Sequence, residues 1–357
     1  MKILFISHAY PPTVGGVENQ NYELSTWLAK IADVKVIANR HGKKLLPIFM
    51  PFALLAGLFL LPRYDVVLLG NALLAPIGWI LKIVYRTPVI TVVHGLDLTF
   101  SNWIYQTCWV GFFVKKLDKL IAVGNETIRV AEEKGIAKER LVFIPNGIDV
   151  GKYDATFSRT DLEEMLGEQL KEKYVILTSG RLVRRKGVAW FIRNVIPHLS
   201  ENIVYIVAGD GADKKDVHNA IQEQCLSDRV KILGYVTDRE RDLLFHTCDL
   251  FVQPNIKVSN DLEGFGISVI EAAFCRLPVI AARLEGLQDA IKDGHNGFLV
   301  ESGNVSAWVS KITETLANRD LRKNLGEKSR RFVIENYRWE KISRVYLQEI
   351  EQVLRRG

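Results

Sequence analysis

The segment Tyr174–Arg181 reads YVILTSGR, an apolar run that ends in a hydroxyl residue and a glycine. Such a run predicts a strand buried on both faces, because helices cover both sides of a parallel sheet. The next residues, Leu182–Gly187, carry three basic side chains and precede a helix-length segment. A buried strand, a polar loop and a helix together form the repeating unit of a doubly wound sheet.

Eleven further apolar runs of this kind alternate with helix-length segments. In the first half they are Lys2–Ser7, Val34–Ala38, Val66–Gly70, Pro88–His94, Leu120–Gly124 and Leu141–Pro145. In the second half they are Ile203–Gly209, Val230–Gly234, Leu250–Pro254, Pro278–Ala282 and Gly297–Val300. We therefore predict an α/β protein with two doubly wound, Rossmann-like domains. The length of 357 residues agrees, since a single core stops growing at roughly 250–300 residues.

The boundary between the two domains is predicted near Pro145-Asn146-Gly147, a turn signal. The polar stretch Asp149–Lys173 contains little that must be buried, so the linker is expected there. The last stretch, Ser329–Gly357, is predicted to be helical, with apolar residues at helical spacing at Trp339, Ile342, Tyr346 and Ile350.

The composition excludes several classes of protein. With 48% hydrophobic and 25% charged residues, the chain is an ordinary globular protein and not a disordered one. The four cysteines, Cys108, Cys225, Cys248 and Cys275, form no C-x-x-C pair and have no histidine at metal-ligand spacing. We expect reduced core thiols, no zinc site and no disulfide framework. The start of the chain lacks the features of a secretory signal, which predicts a cytoplasmic protein.

The net charge of +6 is unevenly distributed. Residues 1–155 hold 17 Lys and Arg against 12 Asp and Glu, whereas residues 156–357 hold 30 against 29. The positive excess of the first half suits nucleic acid, an anionic membrane or an anionic substrate, and charge alone does not choose among them.

Two motifs that follow strands point to chemistry. The loop Gly180–Gly187 offers Arg181 and Lys186, which are well spaced to bind a diphosphate from two sides. The alternative for this loop is a solvated basic turn.

The second motif is the segment Glu263–Glu271. If its helix begins near Gly266, Glu263 lies on the preceding loop and Glu271 about one turn inside. Glycines at 264 and 266 let the backbone approach an anion, while carboxylates suit the hydroxyls of ribose and sugar. The alternative is that Glu263 caps the helix and Glu271 is a surface residue.

These motifs, taken in order, resemble those of the retaining, GT-B-type glycosyltransferases of family four, also called group 1. The similarity includes Arg181 with Lys186, Gly209-Asp210-Gly211 and the Glu263–Glu271 segment. It extends to Tyr10-Pro11-Pro12 with Gly15-Gly16-Val17-Glu18, to Pro145-Asn146-Gly147-Ile148-Asp149 and to Asp293-Gly294-His295-Asn296-Gly297. It covers most of the chain, from Ile3 to about Val300.

The resemblance implies roles for individual residues. Glu271 would bind the ribose hydroxyls, Arg181 and Lys186 the diphosphate, and Glu263 with the backbone of Gly264–Gly266 the donor sugar. His94 would approach the transferred sugar from the first domain, and the alternative for it is an imidazole that is only hydrogen-bonded at a strand end. The implied catalytic set is His94, Glu263, Arg181 and Lys186. The implied donor-binding residues are Gly15, Gly16, Gly180, Arg181, Lys186, Gly209, Asp210, Glu263, Gly264, Phe265, Gly266, Ile267 and Glu271.

The resemblance also implies an architecture and a reaction. The fold would be GT-B: residues 1–150 binding the acceptor and 151–335 the donor across a cleft, with a helix at 336–357 crossing back to the first domain. A hexose-type sugar would pass from a nucleotide diphosphate sugar to a glycan or lipid-linked acceptor, with retention at the anomeric carbon. Neither a metal nor another cofactor is expected, and cell-surface polysaccharide synthesis is the expected setting.

The chain departs from the family pattern at Arg283–Asp289. Where members commonly have two glycines before an acidic residue, this sequence has Leu284-Glu285-Gly286. A contact of this loop with the donor stays plausible, but its geometry is open.

The first half also contains an apolar stretch, Leu45–Leu61, behind the basic cluster Arg40–Lys44. Proline at 47, 51 and 62 and a length below about 20 residues disfavour a spanning helix. Two alternatives remain: a helix packed against the first sheet, or an interfacial element that contacts the inner face of an anionic membrane through residues 40–61.

Other functions fit the motifs less well. An epimerase of the same fold is one alternative and a non-catalytic nucleotide-binding protein is another. A phosphorylase lacks its cofactor lysine motif here, and the first strand is not followed by the G-x-G-x-x-G of a dehydrogenase. A nucleic-acid partner is not expected, because the second half is nearly neutral.

Overall fold

The computed structural model describes residues 1–153 and 155–356, apart from the side chains of Lys43 and Arg356. Two compact units are present. The first contains Met1–Asp149, Asn260–Phe265 and the chain from Arg338 onward, and the second contains Val150–Ser259 and Gly266–Tyr337. The predicted division at residues 150 and 335 differs in one respect: Asn260–Phe265 belong with the first unit, because their contacts are made there.

Each unit contains a six-stranded parallel sheet. The strands of the first are β1 (Lys2–Ser7), β2 (Asp33–Ala38), β3 (Val66–Leu69), β4 (Val89–Val93), β5 (Lys119–Ala122) and β6 (Leu141–Phe143). The strands of the second are β7 (Tyr174–Ser179), β8 (Ile203–Ala208), β9 (Val230–Gly234), β10 (Leu250–Gln253), β11 (Val279–Ala282) and β12 (Phe298–Val300). Ten of the strands lie within the predicted runs, and β2 and β5 begin one residue earlier, at Asp33 and Lys119, so two doubly wound domains are confirmed.

The order of the strands locates the place where ligands bind. The first sheet runs β2-β1-β3-β4-β5-β6 and the second runs β12-β11-β10-β7-β8-β9. The direction of winding therefore reverses between β1 and β3 in the first sheet and between β7 and β10 in the second. In open parallel sheets, ligands bind beyond the carboxyl ends of the strands at such a reversal.

Helices cover both sheets. Those of the first unit are α1 (Gly16–Leu28), α2 (Leu46–Leu60), α3 (Ala75–Tyr85), α4 (Leu96–Thr99), α5 (Asn125–Glu133) and, at the end of the chain, α14 (Trp339–Arg356). Those of the second unit are α6 (Arg159–Leu166), α7 (Val188–Asn194), α8 (Lys214–Glu223), α9 (Asp238–Thr247), α10 (Ile267–Phe274), α11 (Leu287–Ala290), α12 (Val305–Ala317) and α13 (Arg319–Tyr337). A π-helical segment, Tyr105–Phe113, packs beside α3.

The C-terminal helix belongs to the first unit, where α14 packs against α1. Trp339, Ile342, Tyr346 and Ile350 are each at most 2% exposed, so the predicted apolar positions form its buried face. The predicted helical structure of Ser329–Gly357 is confirmed over the described residues, with one interruption. The helix ends at Tyr337 and restarts at Trp339, because Arg338 leaves the helical path and pairs with Ile148 in a short β-bridge.

Two other predictions were wrong. The stretch Asp149–Lys173 is not a plain linker, because α6 begins with a capping box between Ser158 and Asp161 and buries Leu162. Of the four cysteines, only Cys248 and Cys275 are core thiols. Cys108 points outward from the π-helical segment and Cys225 follows the end of α8, so both are exposed.

The apolar stretch of the first half forms α2 and is only partly covered. Phe49, Ala53 and Gly57 are buried, and Gly57 lies against Leu81 of α3. Residues Leu46–Arg63 are long and apolar enough to cross a membrane by length and composition, yet only 22% of them are buried. Core packing therefore accounts for a small part of this apolar surface.

Candidate functional site

The loop that follows β1 reaches the start of α1 at Gly15 and Gly16. Asn21 of α1 fixes this loop, since its amide donates to Ser7 Oγ at 2.9 Å and to the Ala9 carbonyl oxygen at 3.1 Å. Nothing lies within 4 Å of the position that a Cβ at residue 16 would occupy. The first turn of α1 thus leaves open space at Gly16, as a loop that binds a ligand through its backbone requires.

His94 follows β4 and is held by its neighbours in the first unit. Its Nε2 lies 3.0 Å from the Gly70 carbonyl oxygen, beyond the end of β3. Because a carbonyl oxygen only accepts, Nε2 carries a proton in this contact. The contact therefore orients the imidazole at the reversal of the first sheet.

Asp97 organises the backbone around His94. Its two carboxylate oxygens accept hydrogen bonds from the His94 main-chain nitrogen at 2.9 Å and from the Ala72 nitrogen at 3.2 Å. Burial raises the pKa of Asp97, although the nearby His94 and the two backbone donors oppose that effect. This buried carboxylate ties the loop after β4 to the loop after β3.

The segment Asn260–Phe265 packs on the His94 loop. Thr99 Oγ1 donates to the Asn260 carbonyl oxygen at 3.1 Å, and Gly95 lies beside Leu262. A Cβ at Gly264 would be 2.7 Å from the His94 carbonyl oxygen, so the backbones meet at a distance that only glycine allows. The first unit thus brings the chain at Glu263 together with His94, and Glu263 is 8% exposed.

In the second unit, the basic loop lies at the reversal between β7 and β10. Gly209 packs its backbone against the Gly180 carbonyl, and the Leu182 nitrogen donates to the Asp210 carbonyl oxygen at 2.9 Å. The Arg185 carbonyl oxygen accepts a hydrogen bond from the Ile256 nitrogen at 2.9 Å, beyond the end of β10. The loops after β7, β8 and β10 therefore form one layer at the carboxyl edge of the sheet.

The charged residues of this layer differ in exposure. Arg181 is exposed, whereas Lys186 is buried with 9% of its surface accessible. The Asp210 carboxylate is exposed and bonded locally, to Lys214 Nζ at 3.0 Å and to the Gly211 nitrogen at 2.7 Å. The hydrogen bond from Lys214 lowers the pKa of Asp210. The Asp210 side chain thus stabilises the turn in which this residue lies.

The helix α10 begins as expected. Gly266, with φ of 86°, is its N-cap residue and Ile267 its first residue. A side chain at Gly266 would meet Leu287 as well as adopt a left-handed backbone, so both sterics and conformation favour glycine. Phe265, the residue before Gly266, is buried, with 2% of its surface exposed.

Glu271 is not a surface residue, because only 8% of it is exposed. Its Oε1 accepts a hydrogen bond of 2.7 Å from the Tyr153 hydroxyl. The Glu271 charge is also the largest cause that raises the pKa of Arg241 on α9. The alternative in which Glu271 lies on the surface is therefore wrong.

Sequence reasoning missed Tyr153, Arg241 and the buried amides of Gln253 and Asn255. Gln253 Nε2 donates to Asn255 Oδ1 at 2.8 Å, and Ser268 of α10 donates to Gln253 Oε1 at 3.2 Å. A glutamine at the end of an otherwise apolar strand was the available signal for this network. For Tyr153 and Arg241 there was none, since both are far from Glu271 in the chain.

Glu285 has an unusual conformation for its residue type. Its φ is 47°, a left-handed value that costs a non-glycine residue about 1–2 kcal/mol. It is also 8% exposed. Glu285 stands where family members commonly have glycine. The chain therefore has a buried carboxylate on a strained backbone just before α11.

One group in the described part of the chain has the composition of a metal site. Ligand atoms of Asp242, His246 and Cys275 lie within 4.8 Å of one another. Burial raises the pKa of the Cys275 thiol, and the cations Arg330 and Arg241 lie near it. A protonated thiol beside two guanidinium groups is a poor metal ligand.

A separate groove lined by Lys173, Asn202 and Asp249 lies at the amino ends of the strands, away from the loops described above.

Two doubly wound units, each with glycine in the loop at its sheet reversal and with a basic loop in the second, have the architecture of the GT-B fold. The families described as Glycosyl transferases group 1 and Glycosyltransferase Family 4 match residues 163–332 and 14–152. An uncharacterised glycosyltransferase of Methanocaldococcus jannaschii is 30% identical, over 74% of this chain and 68% of that protein. The chain belongs to the group 1 glycosyltransferases of family four.

Two other proteins are similar to the chain. The Escherichia coli UDP-Gal:alpha-D-GlcNAc-diphosphoundecaprenol alpha-1,3-galactosyltransferase is 24% identical, over 72% of this chain and 68% of that protein. The crystal structure of Anabaena HepE in complex with UDP and glucose has a TM-score of 0.80 at 20% identity. It covers 99% of this chain and 100% of HepE, which supports the GT-B fold over the full length.

Proposed function

We propose that the protein transfers a hexose-type sugar from a nucleotide diphosphate sugar to a lipid-linked or glycan acceptor, with retention of the anomeric configuration. The observation that carries this proposal is the pair of carboxylates at Glu263 and Glu271, each 8% exposed, on either side of the glycine turn at Gly264–Gly266. An ionised carboxylate is a strong hydrogen-bond acceptor, so two of them beside a glycine turn suit the hydroxyls of a sugar and a ribose.

We propose the same-face reaction that the resemblance to retaining enzymes implies. The bond between the anomeric carbon and the diphosphate oxygen breaks, and the acceptor hydroxyl oxygen bonds to that carbon on the same face. The proton of the acceptor passes to the departing phosphate. Arg181, Lys186 and the N-terminus of α10 stabilise the growing phosphate charge, so no metal is required. The contact of the His94 ring with Gly70 orients the imidazole, which supports its role beside the transferred sugar.

The donor proposal is tested by thermal shift against UDP-, GDP- and ADP-sugars, since the correct donor stabilises the folded state. The identified donor is then used to measure release of nucleotide diphosphate. Glu263→Ala should abolish release while leaving nucleotide binding intact, and EDTA should leave turnover unchanged. The anomeric configuration of the product, read by NMR, tests retention. A wild-type protein that binds nucleotide but never releases product would favour the non-catalytic alternative.

The acceptor and the location are inferred from α2. Four residues on one face of this helix are strongly exposed: Ile48 by 67%, Phe52 by 58%, Leu55 by 67% and Phe59 by 76%. A stripe of this kind on an exposed helix is the mark of an interfacial element. We infer that it enters the outer part of a membrane leaflet and brings the enzyme to a lipid-linked acceptor.

The charge around α2 specifies the kind of membrane. Between Asp33 and Asp97 the sequence contains seven Lys and Arg residues and one acidic residue, Asp65. Arg40, Lys44 and Arg63, at the two ends of α2, are exposed. Each basic residue near an anionic leaflet contributes about 1 kcal/mol of binding, so the inner, anionic face of a membrane is the proposed location of this cytoplasmic protein.

Vesicle sedimentation tests the membrane proposal. Wild-type protein should pellet with vesicles that contain phosphatidylglycerol and remain in solution with pure phosphatidylcholine at moderate salt. Phe52→Glu with Phe59→Glu should remove binding, whereas Tyr235→Glu, at a residue of the second unit that is 67% exposed, should not. Equal sedimentation of wild type and the double variant would rule out α2 as the contact.

A further inference from the structure

The carboxylate of Glu271 is held in place by two other elements of the second unit. Glu271 lies in the second turn of α10, and Tyr153 lies at the end of a 3₁₀ turn, Val150–Tyr153. The hydroxyl of Tyr153 donates to Glu271 Oε1 at 2.7 Å across 118 residues of sequence. The position of one carboxylate oxygen is therefore defined by a side chain outside α10.

Tyr153 itself has little freedom. It is 5% exposed, and its ring lies between Phe245 of α9 and Phe274 of α10, at centroid distances of 6.4 and 5.9 Å. Burial raises the pKa of Tyr153 well above its usual range, and the Glu271 charge adds to that effect. The hydroxyl consequently keeps its proton at neutral pH and acts as a donor toward the carboxylate.

Arg241 of α9 supplies the charge partner. Its guanidinium is half-buried and also reaches Asp238 Oδ1 at 3.0 Å. The Glu271 charge raises the pKa of Arg241, so the guanidinium lies within electrostatic reach of the carboxylate. The hydrogen bond from the Tyr153 hydroxyl limits the rotation of the Glu271 carboxylate.

We propose that Tyr153 is a positioning residue, which with Arg241 fixes the Glu271 carboxylate in the orientation that accepts hydrogen bonds from the ribose hydroxyls of the donor nucleotide. This inference rests on the proposed function, in which Glu271 binds ribose. The benefit of a fixed carboxylate is that its rotamer entropy is lost on folding and not on binding. Discrimination between ribose and deoxyribose should therefore depend on Tyr153.

The test compares the dissociation constants of a nucleoside diphosphate and its 2′-deoxy form by calorimetry, using UDP and dUDP, GDP and dGDP, or ADP and dADP according to the base that binds. The wild type should prefer the ribose form. Tyr153→Phe keeps the ring and should reduce that preference by about tenfold, the size of one hydrogen bond to a charged group. The donor KM should rise while kcat changes little.

Tyr205→Phe is a matched control, since Tyr205 is another buried tyrosine of this unit and donates to Thr178 Oγ1 at 2.7 Å. It should lower the unfolding midpoint similarly and leave the preference for ribose intact. A double-mutant cycle adds a second readout. In a Glu271→Ala background, Tyr153→Phe should have no further effect on the preference, because Tyr153 acts through Glu271.

The possible outcomes distinguish failure of the positioning role of Tyr153 from failure of the ribose-binding role of Glu271. An unchanged ribose preference in Tyr153→Phe overturns the positioning role and leaves the proposed function in place. A wild type that binds no nucleotide, or that binds ribose and deoxyribose forms equally, overturns the ribose role of Glu271 and the positioning role with it. If Tyr153→Phe does not fold, Arg241→Lys is measured instead, and an unchanged preference there overturns the inference equally.

Discussion

The main-chain nitrogen of His94 donates to the Asp97 carboxylate at 2.9 Å, so the backbone of a proposed catalytic loop is anchored by an acid three residues further on. The same carboxylate accepts from Ala72, which follows β3. His94 is thus joined to the reversal of the first sheet twice, through Asp97 and through the contact of its ring with Gly70.

This anchor should give the first unit a measurable dependence on pH. Burial raises the pKa of Asp97, so the folded state takes up a proton more readily than the unfolded chain. The stability that protonation contributes is fully present below the ordinary aspartate value of about 4 and is lost as the pH rises through the raised value. Asp97→Asn cannot titrate and should show a flatter dependence of the unfolding midpoint on pH between about 4 and 7. Asp65→Asn, at an exposed aspartate, is the control, and identical slopes in Asp97→Asn and wild type would contradict the prediction.

Two glycines with nearly equal backbone angles should respond differently to substitution. Gly187 and Gly167 have φ of 65° and 66°, but a Cβ at Gly187 would overlap the Pro254 carbonyl oxygen, whereas a Cβ at Gly167 meets nothing within 4 Å. Gly167→Ala should cost about 1 kcal/mol for the left-handed backbone alone. Gly187→Ala should cost at least about 1–3 kcal/mol more, because the layer formed by the basic loop and the loop after β10 must move. Urea unfolding measures both values, and equal costs would show that the layer is looser than described.

The close approach of Gly264 to His94 should be essential for turnover. A Cβ at residue 264 would be 2.7 Å from the His94 carbonyl oxygen. Gly264→Ala should therefore displace the chain at Glu263 and lower kcat/KM by about 10²-fold, as a misplacement near 1 Å does. Gly294→Ala, at a left-handed glycine with open space around it, is the control that should lose some stability but little activity. Normal turnover in Gly264→Ala would argue against a role for this contact.

The strained backbone of Glu285 allows the effects of this residue on protein stability and on donor binding to be compared. Glu285 and Cys225 have φ of 47° and 54°, so glycine at either position relieves a left-handed backbone. Cys225→Gly should stabilise the protein by about 0.5–1 kcal/mol. Glu285→Gly should fall short of that gain and weaken donor binding, because it also removes a buried carboxylate next to α11. Equal gains, with donor affinity unchanged, would show that the Glu285 side chain has no role.

The parts of the fold that depend on local sequence were predictable. Ten of the twelve strands lie within the predicted runs and the other two begin one residue early, because a strand covered on both faces needs a continuous apolar segment. The start of α10 was also predictable, since Gly266 gives the helix a left-handed N-cap residue. By contrast, α6 was missed because its burial depends on a few residues, such as Leu162, within a polar stretch.

The parts that depend on distant contacts were not predictable. Tyr153 and Glu271 are 118 residues apart, and neither residue type indicates the other. The grouping of Asn260–Phe265 with the first unit depends on Gly95 and Thr99, which a linear pattern cannot connect to them. The Asp242–His246 pair is at helical spacing, but Cys275 joins it only through the packing of α9 and α10.

The discontinuous make-up of the first unit has a consequence for synthesis on the ribosome. Residues 1–149 emerge first, yet their unit also requires residues 260–265 and the helix α14. The second unit, drawn almost entirely from the chain between residues 150 and 337, can close before α14 has been made. Domains fold as units during translation, so the part of the protein translated first is completed last. Until then the face of α1 that packs against α14 lacks its cover.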